Sequence, residues 1–459
     1  MTRAIPGWVL TLAALGGCSL QPGYVRPAAS VPESWPTGAA YADSDHASAT
    51  DYAWHDVFGD PRLQAVIAQA LANNQDVQVA LANMAQARAQ YGVQRAAQAP
   101  QLGGSASATR GDAGNGAASN FKLEGTVASY ELDLFGRLSS LSEAARSRYL
   151  ASQSAARATR LTLVADVADV WLAYGADTSL LAVARRTAEA ARDSLRLADA
   201  RHRGGIAPAG DVHQAEIALH GAEADIASLT TQVAQDQNAL RLLVGADVAP
   251  ANLPLSIEDA GGRISEVPAG LGSDVLLRRP DVIEAEWQLR SANAQIGAAR
   301  AALFPKISLT SLFGLASNAL SALFSGGSFI WQGAANANYP IFSAGAGKAG
   351  VRVSEAQRDA ALATYRKAVQ SAFADVANAL ARRGTIDAQV AAQSATVRAA
   401  QENLRLADLR YQGGVDNYLQ DLTARQASYS AERTLVQTRL VAATNRVALY
   451  RALGGDRSI

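Results

Sequence analysis

The sequence lacks three features that would each assign it to a familiar class of protein. Cys18 is the single cysteine in 459 residues, so an internal disulfide framework is excluded. Charge of neither sign is in excess, because 41 Lys and Arg balance 41 Asp and Glu, which excludes capture of nucleic acid by net charge. After residue 17 no run of about 20 apolar residues occurs, which predicts no transmembrane helix in the mature chain. Any membrane crossing must therefore use strands.

The first 17 residues have the pattern of a secretory signal. A basic residue precedes a short apolar stretch, and Gly16 and Gly17 stand directly before Cys18. This ending resembles the lipobox of bacterial lipoproteins, which implies that Cys18 is acylated, with palmitate among its acyl chains. By the same resemblance, Ser19 after the cysteine favours release to the outer membrane. The alternative is an ordinary signal with an incidental cysteine.

An internal repeat organises the rest of the chain. Segment 87–100 recurs as 292–305, an offset of 205 residues (305 − 100), and both copies end in proline. Segment 195–205 recurs as 404–414, an offset of 209 (404 − 195), and both copies end in two glycines. The chain is therefore predicted to be a duplicated unit in which each half builds the same structure.

Each half is predicted as helix, strand, loop, strand, long helix, turn and helix. The first helix, which Pro100 ends, has apolar residues at spacings typical of a coiled-coil seam. These residues are Leu63, Ile67, Ala70, Val77, Leu81 and Met84. The long helix of the first half is predicted from about Ser142 to Arg201, which is roughly 90 Å at 1.5 Å per residue. Its counterpart is marked by apolar residues from Leu362 to Leu380.

The predicted strands lie between each proline and the following long helix, and their residues alternate between apolar and polar. This pattern over about ten residues is typical of a membrane barrel, and a soluble two-layer sheet is the alternative. Polar loops are predicted at residues 111–120 and 317–328. Four aromatic residues at the strand ends are candidates for an interfacial girdle or for ordinary core packing. They are Phe135, Phe304, Tyr339 and Phe342.

Four strands per chain cannot close a barrel, and open sheet edges in lipid leave backbone groups unpaired. A cyclic homo-oligomer supplies matching edges head to tail, and three copies give twelve strands.

Two segments carry a family resemblance over almost the whole mature chain. Residues 302–309, Ala-Leu-Phe-Pro-Lys-Ile-Ser-Leu, and residues 410–419, Arg-Tyr-Gln-Gly-Gly-Val-Asp-Asn-Tyr-Leu, resemble the TolC-like outer-membrane factors of the NodT/OprM lipoprotein group. The resemblance implies an α+β membrane protein: a homotrimer with a 12-stranded β-barrel on a long periplasmic α-helical barrel and a mixed equatorial belt. It also implies an exit duct in the bacterial outer membrane that passively conducts drugs or other small molecules. The implied partners are a periplasmic adaptor protein and an inner-membrane resistance-nodulation-division pump.

The repeat and the resemblance together divide the chain into six segments. They are a signal peptide (1–17), a lipid-anchored belt segment (18–59), the first repeat (60–245), an equatorial belt segment (246–278), the second repeat (279–454) and a tail (455–459).

The two Gly-Gly pairs are predicted to reverse the chain at the tip of the helical barrel, because glycine readily takes the left-handed conformation. These glycines are Gly204, Gly205, Gly413 and Gly414. By resemblance, the residues around these turns meet the adaptor, with Arg201 and Arg410 as polar contacts.

Asp416 is the leading candidate for a gate residue. The resemblance implies that it faces the lumen, where three copies would converge, repel and raise one another's pKa. The alternative is that Asp416 caps the following helix. Asp199 and Asp408 are weaker gate candidates, because each follows an arginine by three positions and is expected to pair with it.

Enzymatic readings find little support. Residues 345–350 fit GxGxxG but lack the surrounding βαβ pattern and the acidic partner of a dinucleotide site. The five histidines form no metal-ligand pattern, and no nucleophile motif is present. We therefore expect no catalytic residue, cofactor or metal. The alternatives to a drug-efflux duct are a lipid-tethered coiled-coil scaffold, or a duct for metal ions or secreted protein.

Overall fold

A computed structural model describes residues 19–28, 30–41, 53–112, 117–265 and 272–455. Cys18 lies outside these residues. The helices are α1 (Trp54–Val57), α2 (Pro61–Asn73), α3 (Gln75–Ala96), α4 (Arg137–Arg203), α5 (Ala209–Val244), α6 (Ile257–Gly261), α7 (Pro280–Ala301), α8 (Ala346–Gln412) and α9 (Tyr418–Ala452). The strands are β1 (Leu102–Asp112), β2 (Ala117–Leu132), β3 (Lys306–Ser317) and β4 (Phe329–Asn338). The two halves thus repeat one element order, as predicted.

The chain divides into two compact units, each discontinuous in sequence. The sheet unit comprises Met1–Ala29, Ala82–Ser154 and Ile283–Lys367. The hairpin unit comprises Ser30–Leu81, Ala155–Val282 and Ala368–Ile459.

The long helices α4 and α8 each contain 67 residues, so the prediction of about 60 residues was too short. Alanine is frequent in both helices, and its small side chain and high helix propensity suit close packing on both flanks. An 18-residue window of α4 meets the length and composition of a membrane span, but 56% of it is buried inside the protein. Buried core helices commonly have this composition, so the window is weak evidence for a span.

The single helix predicted before Pro100 is two helices, α2 and α3, divided at Asn74. The Asn74 side chain donates to the Leu243 carbonyl over 2.8 Å and accepts from the backbone N–H of Asp76 over 2.8 Å. Asn74 is 3% exposed. One side chain therefore starts α3 and ties this point to the end of α5, a long-range contact that periodicity does not reveal.

The strands form one antiparallel sheet in the order β1-β2-β3-β4. Leu102 pairs with Val127 at one end of the first hairpin, and Lys306 pairs with Asn338 at one end of the second. A bulge between Val127 and Tyr130 interrupts the register of β2 with β3.

One face of the sheet is largely apolar, as the alternation predicted. Phe313 pairs with Trp331 on this face, and its ring covers Gly125 of β2, where a β-carbon would lie 2.7 Å from the ring. Both Phe313 and Trp331 are exposed in the single chain. At the strand ends, Phe135 and Phe304 stack with ring centroids 4.7 Å apart.

The predicted loop at residues 111–120 was largely wrong. Strands β1 and β2 extend into it from both sides, to Asp112 and from Ala117. The second predicted loop, 317–328, contains a short 3-10 helix, Leu320–Ala322. The Ser328 hydroxyl donates to the Leu323 carbonyl over 2.7 Å and closes this loop.

In the hairpin unit, the segment after α5 packs against α4 through Trp171. This side chain is fully buried, and its indole N–H donates to the Asn252 carbonyl over 2.8 Å. Arg62 lies 5.6 Å from the Trp171 ring and pairs with both Asp60 and Asp259. These contacts give the predicted belt segment 246–278 a defined packing partner, while its boundaries remain a prediction.

Candidate functional site

The two Gly-Gly turns have the same backbone conformation. Gly205 and Gly414 have φ values of 71° and 72°, the left-handed conformation that was predicted. Beyond each glycine, a backbone N–H reaches back to an arginine carbonyl over 2.9 Å, from Ile206 in the first turn and Val415 in the second. Each turn therefore ends one long helix and begins the returning helix of a hairpin.

Arg201 contacts the other hairpin and does not point free into solvent. Its guanidinium donates to the Tyr411 carbonyl over 3.0 Å and lies 4.7 Å from the Tyr411 ring. The contact combines a charged hydrogen bond with a cation–π interaction. It joins the end of α4 to the end of α8.

Arg410 and Asp416 form a two-point ion pair within the second turn, with N–O distances of 2.6 and 2.9 Å. Arg410 holds the pKa of the Asp416 carboxyl below its usual range, opposite to the direction expected for a ring of like charges. The helix-cap alternative was wrong, because the side chain that caps α9 is that of Asn417, which accepts from Gln420 N–H over 3.2 Å. Convergence of three Asp416 copies remains a prediction.

Asp408 pairs with Arg425 of α9 over 2.5 Å, and the predicted pairing with Arg405 was wrong. Arg405 instead contacts Glu402 over 2.7 Å. Arg425 also donates to Asp421 over 2.6 Å, so one guanidinium joins α8 to α9 through two carboxylates.

Asp421 is the most deeply buried acid of this region, with 0% exposure. Burial raises its pKa, although Arg425 opposes the shift. Its Oδ1 atom has no hydrogen-bond partner among the described residues. Burial, together with Asp421, raises the pKa of the neighbouring Tyr418 to about 12.

Asp199 lies in an exposed pair with Arg203 over 2.7 Å, and the predicted pairing with Arg196 was wrong. Arg196 contacts Asp193. Spacing alone could not choose between partners three and four residues away, since both lie on the same helix face.

A small apolar cluster joins the two hairpins next to the turns. Tyr411 and Tyr418 are 3% and 1% exposed, and their ring centroids are 5.5 Å apart. Ala198 and Ala215 of the first hairpin pack against them. Sequence reasoning did not assign a role to these tyrosines or to the Asp421–Arg425 pair, although the i,i+4 spacing of the latter was a usable signal.

Two exposed apolar residues stand at equivalent positions in the turns. Ile206 is 75% exposed and Val415 is 66% exposed. Arg201 and Arg410, the predicted polar contacts of the adaptor, both have partners within the chain. The surface that the turns present is therefore more apolar than predicted.

Comparison with known proteins identifies the family. The family model for outer membrane efflux proteins matches residues 66–246 and 271–455, once in each half. This chain belongs to the outer membrane efflux protein family. This result confirms the predicted resemblance to the TolC-like outer-membrane factors. Members of the family are channel components of efflux systems. The chain is accordingly an outer-membrane channel protein and not an enzyme.

Several named relatives match nearly the whole chain. The probable efflux pump outer membrane protein TtgC of Pseudomonas putida is 41% identical over 467 residues, 99% of this chain and 96% of its own. OprJ, an outer membrane protein of Pseudomonas aeruginosa, is 39% identical, covering 97% and 95%. The crystal structure of the open MtrE outer membrane channel of Neisseria gonorrhoeae matches with a TM-score of 0.85 at 37% identity, covering 96% and 98%. The fold of this efflux protein is therefore that of the TolC-like channels.

No group of three metal-ligating side chains occurs in the part of the chain that the structure describes. His213 and His220 form exposed pairs with Glu216 and Glu223. These pairs have the character of ordinary surface contacts.

Proposed function

We propose that this outer membrane efflux protein is the exit duct of a tripartite pump and that three copies close one twelve-stranded barrel. The observation that carries the proposal is the single sheet, in which β1 and β4 each have one edge without a strand partner among the described residues. In lipid each unpaired backbone group costs several kcal/mol. Pairing β4 of one copy with β1 of the next removes both edges, head to tail.

The duct would receive its cargo from an inner-membrane resistance-nodulation-division pump through a periplasmic adaptor. The two turns are the proposed adaptor contacts, formed by Gly204, Gly205, Gly413 and Gly414 and the arginines beside them. Their exposed Ile206 and Val415 supply apolar area that water does not favour. Relatives named for toluene and antibiotic efflux support small organic molecules as cargo, ahead of metal ions or protein.

We further propose that Cys18 carries the lipid anchor in the outer membrane. The pattern before Cys18 supports this assignment. A single acyl chain gives only marginal membrane binding, but here it would act together with the inserted barrel.

We propose Asp416 as the main gate residue, with Asp408 as a supporting residue. Asp408 acts through Arg425, which joins the two helices behind the turn. Asp199 is not supported as a gate residue by its exposed pairing with Arg203.

The experiment is ion conductance of the purified trimer in a planar bilayer, for wild type and Asp416→Ala. We expect a small, cation-sensitive conductance that grows severalfold in the variant, because the substitution removes both the charge ring and the Arg410 pair. Asp199→Ala is the matched control and should conduct like wild type. A trimer without conductance in either protein would contradict the duct, and equal conductance in wild type and Asp416→Ala would contradict the gate.

A further inference from the structure

The apolar face of the sheet carries aromatic residues at both ends of strand β4. Phe329 and Trp331 lie at the end far from α8, and Tyr339 directly follows the strand at the other end. All three side chains are exposed in the single chain. Between them this face has only small residues, Gly333, Ala335 and Ala337. Aromatic residues at two levels, with small residues between them, are typical of the interfacial girdles of a membrane barrel.

The two aromatic levels are one bilayer apart. Phe329 and Tyr339 are separated by ten residues (339 − 329), which is about 34 Å at 3.4 Å per residue. A barrel strand is tilted by roughly 40°, so this length becomes about 26 Å in height. The apolar band of membrane barrels is about 25 Å tall. In the proposed barrel the level of Phe329 therefore lies at the outer edge of the lipid hydrocarbon.

Arg110 lies beyond this outer level on the same face. Phe329 pairs with Leu315, Leu315 with Leu123, and Leu123 with Ala106 of β1. Arg110 follows Ala106 by four residues (110 − 106), or about 14 Å along the strand, and an even spacing keeps both residues on one face. The guanidinium is therefore expected among the lipid headgroups, where a cation on the lipid side costs little.

The guanidinium of Arg110 is available for a ligand. Arg110 is exposed and has no hydrogen bond or ion pair within the described residues. Asp112 lies further out on the same face and has a contact of its own. Lys122 is the other cation of the first hairpin, but it pairs with Ser107 on the opposite face and contacts Glu124 over 3.6 Å. Arg110 is thus the one cation that strands β1 and β2, as far as the structure describes them, present on the apolar face.

We propose that Arg110 binds a phosphate group of an outer-leaflet lipid, with the acyl chains of that lipid against the aromatic residues below. A guanidinium donates two parallel hydrogen bonds to one phosphate, and lipid A, a glycolipid with phosphate groups on its sugars, supplies this group at the headgroup level. Phe121, which pairs with Ala108 two residues below Arg110, offers an apolar ring for the chains. The proposal rests on the proposed membrane barrel, because the apolar face must meet lipid.

The first test measures binding of lipid A to the purified, delipidated full-length trimer by native mass spectrometry. Arg110→Ala should bind lipid A about tenfold more weakly than wild type, because a charged hydrogen bond is lost. Lys122→Ala, which removes the cation of the opposite face, is the matched control and should bind like wild type. Arg110→Lys should recover most of the binding, since it restores the charge. Equal binding by Arg110→Ala and wild type would overturn the proposal.

The same assay identifies the source of the phosphate. Lipid A without its phosphate groups should bind wild type as weakly as intact lipid A binds Arg110→Ala, and inorganic phosphate should not displace bound lipid A. Displacement by inorganic phosphate, or equal binding of the two forms of lipid A, would overturn the lipid site.

The second test measures which face of β1 meets lipid. Nitroxide labels at Ala108→Cys and Thr109→Cys, in a Cys18→Ser background, are compared in proteoliposomes for collision with oxygen, which concentrates in lipid, and with a nickel chelate, which stays in water. We expect the label at 108 to contact lipid and the label at 109 to contact water, because neighbouring residues of a strand lie on opposite faces. Reversed or equal accessibility would overturn the lipid site at Arg110. A wild-type chain that inserts with the expected pattern but forms no trimer would contradict the proposed duct alone.

Discussion

The two hairpin turns share a backbone and differ in charge. Arg201 and Arg410 are equivalent residues, but Ala207 occupies the position that corresponds to Asp416. Arg410 consequently pairs within its own turn, whereas Arg201 contacts Tyr411 of the other hairpin. The two copies of one turn thus differ at one acidic position, and the arginine pairs locally in the copy that has the acid and between hairpins in the copy that lacks it.

The same contrast continues into the returning helices. Asp421 and Arg425 of α9 correspond to Val212 and Glu216 of α5, at the offset of 209 residues. The second hairpin therefore has a buried charged network where the first has an apolar residue and an exposed acid. This asymmetry places the buried arginine–carboxylate network next to the turn in the second hairpin alone.

Of the three differences between the hairpins, the loss of Arg425 should lower the free energy of unfolding most. Arg425→Ala leaves Asp421 buried without its partner and should lower the free energy of unfolding by about 3 kcal/mol. Thermal loss of helical circular dichroism measures the change, and trypsin cleavage near the second turn reports where it occurs. Glu216→Ala at the equivalent position should cost less than about 0.5 kcal/mol. A similar loss of stability in Arg425→Ala and Glu216→Ala would contradict the difference between the two hairpins.

The second largest expected effect is on the pH dependence of the free energy of unfolding, which should differ between the two hairpins. Asp236 of α5 is 7% exposed, and burial, together with Asp177 of α4, raises its pKa to about 7. In the second half, Asn445 stands at the position equivalent to Asp236 and Ile386 at the position equivalent to Asp177, so this half has no such acidic pair. The folded chain retains a proton that the unfolded chain releases between about pH 4 and 7, so this contribution to stability is present at low pH and is lost as pH rises through 7.

Asp236→Asn should flatten that dependence and stabilise the protein above pH 7 by about 2 kcal/mol. Chemical denaturation at pH 5 and pH 8 measures the difference. Asp199→Asn, an exposed control, should leave the pH slope of the wild type unchanged. A slope that survives in Asp236→Asn would assign the titration to another group.

The contact between Arg201 and Tyr411, which joins the two hairpins, should contribute least to the free energy of unfolding. Arg201→Ala removes the hydrogen bond and the ring contact with Tyr411 and should cost about 1 kcal/mol, measured by thermal unfolding. Ala207→Asp sharpens the comparison, because it recreates the second turn in the first and should draw Arg201 away from Tyr411. We expect the two variants to increase chymotrypsin cleavage after Tyr411 equally, because each uncovers the Tyr411 ring and neither changes that cleavage site. Cleavage of Ala207→Asp at the wild-type rate would show that the charge at this position does not choose the partner.

The local features of the fold were predictable from the sequence. The duplication, the strand alternation and the left-handed glycines at 205 and 414 follow from spacing and residue type, and the structure agrees. The interruption at Asn74 did not follow, because it depends on a carbonyl of α5 that is distant in sequence.

The charged contacts of the turns were less predictable. Asp408 accepts from Gln412 of its own helix, and its ion-pair partner Arg425 comes from the helix that returns after the turn. Spacing along one helix cannot reveal a partner on another. Arg201 was predicted as a polar contact of the adaptor. Its contact with Tyr411 could not be predicted, because that contact exists only when the two hairpins pack together.

The two open edges of the sheet have a consequence for gene dosage. In the proposed trimer every copy must offer an intact β1 to one neighbour and an intact β4 to the other. One copy with a damaged edge strand therefore prevents closure of the whole barrel, even when the other copies are intact. Where damaged and sound chains are made together, the number of closed ducts should fall as the third power of the sound fraction, so an edge-strand lesion should behave as a dominant trait.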